Sequence, residues 1–157
     1  MSNNYEKVIE ILKLEAAAIV AAAGNLDRTN VEAALEILGS CSGKVLVCGV
    51  GKSGVIGQKI AQTLTSTGTV SLFINPSDAL HGGLGVVANG DVVIALSNSG
   101  ETDELLAILP TFRQRGVKLI AIVGNLDSTL AHQSDAVLDA AVDKEACPLN
   151  LAPTTST

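Results

Sequence analysis

Aromatic residues make up only 2% of this 157-residue chain, and tryptophan is absent. Single-stranded nucleic acids are gripped largely by bases stacking on aromatic rings, so the platforms for that mode are missing. Basic side chains are few as well. Ten Lys and Arg stand against 16 Asp and Glu, for a net charge of −6. That excess repels a nucleic-acid backbone and an anionic membrane alike, so neither is an expected partner. Long apolar runs are also lacking. Hydrophobic residues reach 47% and mean hydropathy is +0.41. Yet the longest helical apolar stretch, Ala16 to Ala23, falls far short of the ~20 residues that span a bilayer. The opening residues, Met1 to Lys7, have no basic-then-apolar layout of a signal peptide, and the expected compartment is the cytoplasm. Cysteine is sparse: Cys41, Cys48 and Cys147 are odd in number and form no C-x-x-C pair. This excludes a disulfide framework and the usual zinc spacing. No metal and no cofactor is expected, and Cys48, inside an apolar run, reads as a small core residue.

What is abundant is Ala, Val, Leu and Ile, enough for one buried core in a chain of single-domain size. Asn3 or Asn4 can cap a first helix with apolar residues Val8, Ile11, Leu12, Leu14 and Ile19, stopped at Gly24. A second helix is predicted from Asn30 to Leu38, ending at Gly39. From there strands and helices alternate. Strands are predicted at 44–49, 70–75, 91–97, 117–123 and 135–141, and helices at 53–66, 102–115 and 128–133. Continuous Val, Ile and Leu runs mark strands buried on both faces, as in a parallel sheet covered by helices. The expected fold is therefore α/β, a three-layer doubly wound sandwich. Its five-stranded parallel sheet has order 2-1-3-4-5, and two helices lead it. Residues 1–40 form the leading helices and 41–157 the core.

Two turns carry the chemistry. Gly49-Val50-Gly51-Lys52-Ser53-Gly54 follows the first strand, and Ser97-Asn98-Ser99-Gly100-Glu101-Thr102 follows the third. Each presents backbone N–H groups, small hydroxyls and the positive end of a helix dipole, which together suit a phosphate. In a sheet of this order, strands 1 and 3 flank the switch point, where ligands of doubly wound folds bind. Two other motifs are excluded. The Gly49-x-Gly51-x-x-Gly54 spacing matches a dinucleotide fingerprint, but the second strand ends Phe73-Ile74-Asn75-Pro76 without the acidic residue for a ribose. Gly51-Lys52-Ser53 imitates the end of a Walker A loop, but Leu46 stands where the first glycine is required.

These turns, together with the loop Asn75 to Gly85 and the segment Lys144 to Thr157, resemble the sugar isomerase (SIS) domains. More narrowly, they are similar to arabinose-5-phosphate isomerases. The Gly-x-Gly-Lys-Ser-Gly turn, the His81-Gly82-Gly83-Leu84-Gly85 loop and Glu145-Ala146-Cys147-Pro148-Leu149 carry the narrower likeness. The resemblance implies aldose–ketose isomerisation of D-ribulose 5-phosphate and D-arabinose 5-phosphate, feeding octulosonic acid for lipopolysaccharide. It implies phosphate binding by Gly51, Ser53, Ser97, Asn98, Ser99, Gly100 and Thr102, with Ser156 and Thr157 from the tail. It implies catalytic roles for Lys52, Glu104, Glu145 and His81. Lys52 would meet charge developing on oxygen, and either Glu104 or Glu145 would move the proton. A serine or threonine at a strand–helix junction can also simply cap the helix.

Relatives of this kind continue with a long apolar helix, a His-Pro-Gly-Gly segment and often a pair of cystathionine-β-synthase domains. The sequence ends at Thr157 without them, so residues 1–157 are expected to bind a sugar phosphate weakly and isomerise it poorly. Self-association to a homodimer or homotetramer, with the first helix as a contact, is also implied. The resemblance leaves two alternatives: a non-catalytic sugar-phosphate-binding regulatory module, and an isomerase of another phosphosugar.

Overall fold

Apolar runs rich in Val, Ile and Leu extend here because β-branched side chains pack well on a pleated surface. The computed structural model of the protein describes residues 3–147 and 152–156. Its strands are β1 (Val45–Gly49), β2 (Ser71–Ile74), β3 (Val92–Ser97), β4 (Lys118–Val123) and β5 (Ala136–Asp139). They form one parallel sheet in the order β2-β1-β3-β4-β5, the predicted order. Every residue of β1 and β3 is buried. Side chains alternate between the faces, so the sheet carries two apolar layers. Leu46, Cys48, Val93 and Ala95 pack with Leu105, Ile108, Leu109 and Phe112 on one side. Val45, Val47, Ile94 and Leu96 pack with Ala34 and Ala61 on the other. Burial pushes the Cys48 thiol up to about 12, which makes it an inert core group as the sequence implied.

The helices are α1 (Asn4–Asn25), α2 (Arg28–Gly39), α3 (Gly51–Ser66), α4 (Pro76–Ala79), α5 (Asp103–Gln114) and α6 (Thr129–His132). A short 3₁₀ turn spans Gly83–Val86. Several limits differ from the sequence reading. Asp27, not a residue near Asn30, caps α2, its carboxylate accepting from the Asn30 N–H at 2.8 Å. Gly24 does not stop α1, which continues to Asn25. α3 begins at Gly51, inside the glycine turn itself. It can lie close to β1 because Gly54 has no side chain; a Cβ there would sit 2.8 Å from the Gly49 carbonyl oxygen. α4 and the 3₁₀ turn were not foreseen, being a single turn each.

The start of β3 is tied to β1 by the buried carboxylate of Asp91. It accepts from the Lys44 backbone N–H at 3.0 Å, the Lys44 ammonium at 2.7 Å and the Ala88 N–H at 2.7 Å. Burial alone would raise this carboxyl, but those donors hold it below the usual carboxylate range. The sheet is thus fastened at its amino edge, leaving the carboxyl edge to the loops.

α1 contrasts with every other long helix. None of its residues is buried. Leu14, Ala17, Ala18 and Ala21 face residues 141–144 across a shallow groove. Ile19 and Val20 are 72% and 74% exposed. No helix among the described residues is long and apolar enough to cross a membrane.

Candidate functional site

At the carboxyl edge, Gly49 of β1 lies beside Leu96 of β3. The two glycine and serine turns therefore open side by side at the switch point. In the first, Val50 precedes α3 without any side-chain cap, so the opening N–H groups of this 16-residue helix face the switch point with no capping side chain. Lys52 is exposed there and Ser53 half-buried. Among the described residues, the Lys52 ammonium has no ion-pair partner.

The second turn is built differently. Ser97 is 4% exposed, and its hydroxyl accepts from the Gly100 N–H at 3.0 Å while sharing a hydrogen bond with the Thr102 hydroxyl at 2.8 Å. Thr102 opens α5 yet does not cap it with its side chain. Its hydroxyl is turned to Ser97 instead. Ser99 and Asn98 are exposed, and the Ser99 hydroxyl accepts from the Glu101 N–H at 3.2 Å. The loop after β4 supports the turn from behind. Gly124 donates to the Asn98 carbonyl at 2.9 Å and Leu130 to the Gly100 carbonyl at 3.1 Å. Glu101, which sequence reasoning passed over, reaches across to accept from the Thr129 N–H at 2.6 Å, at the first residue of α6, whose N-cap is Ser128. The two hydroxyls nearest the strand are thus supports, while the exposed Ser99 and the backbone are what face outward.

Between the turns lies a cleft of about 650 Å³, lined by Lys52, Ser53, Asn98, Lys144, Glu145 and Ser156 among others. A narrow slot beneath it is bounded by Ser53, Ser97, Asn98 and Ser156. Both turns and the tail meet at this point. Gly124 and Asp143 also line the cleft and were missed. The signal was available, since both follow carboxyl ends of strands that run parallel to β1 and β3.

Glu145 is the most engaged group in the cleft. Its Oε2 accepts from the Thr154 N–H at 2.7 Å, the Thr155 N–H at 2.8 Å and the Thr154 hydroxyl at 3.0 Å. The Thr155 hydroxyl lies 2.8 Å from both that oxygen and the Lys144 carbonyl. The Ser156 hydroxyl donates to Oε1. Burial works to raise this carboxyl, but the bonds from Ser156, Thr154 and Thr155 outweigh it and hold it well below the usual carboxylate range.

The remaining candidates stand apart from the cleft walls. Glu104 is half-buried in the first turn of α5, where the helix dipole favours its charge. Among the described residues its carboxylate has no hydrogen-bond or ion-pair partner. His81 is exposed on the loop between α4 and the 3₁₀ turn. Arg115 anchors that loop from α5's end, donating to the Leu84 carbonyl at 2.7 Å and to the Val87 carbonyl. Thr157 lies outside the described residues. No group of three or more His, Cys, Asp or Glu gathers among the described residues in a way that could hold a metal.

Known proteins are similar to this chain in sequence and fold. The SIS domain family model matches residues 39–157. The arabinose 5-phosphate isomerase KdsD of Pseudomonas aeruginosa is 52% identical over 124 residues, covering 79% of this chain and 38% of that protein. KpsF of Escherichia coli O6:H1, also an arabinose 5-phosphate isomerase, is 45% identical over 150 residues, covering 96% of this chain and 46% of its own. The chain thus spans less than half the length of these curated relatives. A solved Escherichia coli CFT073 protein in complex with arabinose 5-phosphate superposes with a TM-score of 0.85 at 41% identity, covering 98% of this chain and 83% of that one. With three-quarters of its length inside the family model and the paired turns at the predicted switch point, this chain belongs to the SIS domain family.

Proposed function

We propose that the protein is an aldose–ketose isomerase acting on D-arabinose 5-phosphate and D-ribulose 5-phosphate. The observation that carries this reading is the convergence of an uncapped helix start, an exposed lysine and a serine-rich turn on one polar cleft. The likeness to the KdsD and KpsF isomerases supports the choice of sugar.

The phosphate would sit against the 97–102 turn, on N–H groups opening α5 and the hydroxyl of Ser99. The loops around it are braced in advance, so little ordering is needed on binding. At the other end of the sugar, a carboxylate takes the C2 proton of the open-chain aldose. The C–H electron pair becomes the C1–C2 double bond, and the carbonyl pair moves onto O1. Lys52 is placed to meet that developing charge. O1 takes up a proton, and proton return to C1 with loss of the O2 proton then gives the ketose. The reaction is internally redox-neutral and calls for no cofactor. His81, on its braced loop, would serve ring opening or a sugar hydroxyl.

We also propose a homo-oligomer, dimer or tetramer, joined through the exposed apolar residues of α1. A cytoplasmic role in supplying octulosonic acid for lipopolysaccharide fits the same reading. The test is deuterium transfer from heavy water into ribulose 5-phosphate, followed by NMR. Incorporation at the carbon that loses its proton is the expected result. Saturable binding of the sugar without any incorporation would instead make the chain a sugar-phosphate sensor.

A further inference from the structure

Of the two glutamates that could move the proton, one is already occupied. We infer that Glu145 is a positioning residue: its carboxylate latches residues 154–156 over the cleft, setting Ser156 at the phosphate end. This deepens the isomerase reading and rests on it, because the latch matters for the sugar that the cleft receives.

The geometry is specific. One oxygen of Glu145 collects the N–H groups of Thr154 and Thr155 and the Thr154 hydroxyl, and the other takes the Ser156 hydroxyl. The link also runs the other way, since the Ala146 N–H donates to the Thr154 hydroxyl oxygen at 2.9 Å. Two chain segments about ten residues apart are therefore stitched together through one carboxylate. Ser156 lines both the wide cleft and the narrow slot beneath it. Releasing the latch would remove one wall of each.

A proton-abstracting base needs a free lone pair aimed at substrate carbon and a pKa near working pH. Glu145 has neither. Its lone pairs point at the tail, and the donors around it stabilise the anion, making it a poorer base. Glu104 is half-buried, and its carboxylate has no hydrogen-bond or ion-pair partner among the described residues. Lys52, Asp143 and Lys144 line the same cleft as Glu145.

Glu145→Gln separates the two roles. The amide oxygen can keep the Thr154 and Thr155 donors, while its NH₂ meets a Ser156 hydroxyl that reverses from donor to acceptor. A latch survives that change in large part, whereas a base does not. Glu145→Ala removes both functions. The experiment uses backbone hydrogen exchange of residues 152–156 in the sugar-free protein, affinity for arabinose 5-phosphate, and deuterium incorporation into that sugar. Exchange in the tail should be slowed at least tenfold in the wild type and in Glu145→Gln, and should reach the unstructured rate in Glu145→Ala. Protection should hold from pH 8 to pH 5, because a lowered pKa keeps the carboxylate charged there and releases the tail only at more acid pH. Glu145→Gln should retain incorporation within about tenfold of wild type, and Glu104→Gln should lose it.

Loss of incorporation in Glu145→Gln, with tail protection and sugar affinity intact, would overturn the inference and make Glu145 the base. An unprotected tail in the wild type would overturn it equally. A wild-type protein that neither binds nor labels the sugar would sink the isomerase reading alone, and the sugar-free exchange would still decide the latch.

Discussion

The turns after β1 and β3 are topological twins, yet they solve opposite problems. After β3, side chains are spent on the loop itself: Ser97 holds Gly100 and Thr102, and Glu101 reaches over to the first N–H of α6. After β1, almost nothing is spent. Val50 gives no side-chain cap, Gly51 has open space around it, and the Lys52 ammonium has no ion-pair partner among the described residues. A rigid cradle suits a phosphate, whose shape and charge are constant through the reaction. A cation that can adjust suits an oxygen whose charge appears only in the transition state. On the isomerase reading, the difference between the turns is a division of labour within one cleft.

The largest expected effect tests the loose turn. Lys52→Ala should lower deuterium incorporation into ribulose 5-phosphate by roughly 10²–10³-fold, the usual cost of losing one donor to a developing oxyanion. Affinity for the sugar phosphate should fall much less, because the rigid turn is untouched. Thermal stability should not change, since the Lys52 side chain is exposed. Equal losses of affinity and incorporation would place Lys52 on the phosphate instead and erase the division of labour.

Next comes a pair of glycines that share a left-handed backbone but not their surroundings. Gly51 has φ +60° and Gly100 has φ +68°. A Cβ at Gly51 meets nothing within 4 Å, whereas at Gly100 it would lie 2.0 Å from the Ser128 hydroxyl oxygen. Gly51→Ala should cost about 1 kcal/mol, the strain of the left-handed conformation. Gly100→Ala adds a steric clash and should cost about 2–4 kcal/mol in all. Thermal unfolding of both variants checks this, at about 2–4 °C per kcal/mol for a chain of this size. Equal losses would mean that the second turn is no better braced than the first.

The sequence made the sheet legible because Val, Ile and Leu runs leave few alternatives to a parallel strand buried on both faces. Strand order comes from the doubly wound class, and it places the turns after β1 and β3 side by side. Helix limits were less legible: Asp27 caps α2 upstream of any apolar signal, and α1 runs through Gly24, which does not adopt the positive φ that ends a helix. At the site, motif logic found Ser97 and Thr102 but not that they hold each other, which depends on rotamers. Glu145 was found as a carboxylate in a loop. That it grips Thr154 and Thr155 depends on the chain doubling back, which no local pattern records.

The smallest effect lies within the rigid turn and asks whether its serines are truly of two kinds. Ser97→Ala removes the hydroxyl between Gly100 and Thr102. The Gly100 N–H keeps a longer bond to the Ser97 carbonyl at 3.2 Å, so the loss is partial. About 1 kcal/mol of stability should go, the worth of one buried hydrogen bond. Ser99→Ala should leave stability within about 0.5 kcal/mol, as exposed substitutions usually do. Its effect should fall on ligand affinity, through one lost hydroxyl at the phosphate. Affinity for arabinose 5-phosphate and unfolding temperature, measured on both variants, should then change in opposite proportion. If Ser97→Ala weakened affinity more than Ser99→Ala at equal stability, the buried hydroxyl would be a ligand contact. The bracing of the turn would then have to come from the loop after β4 alone.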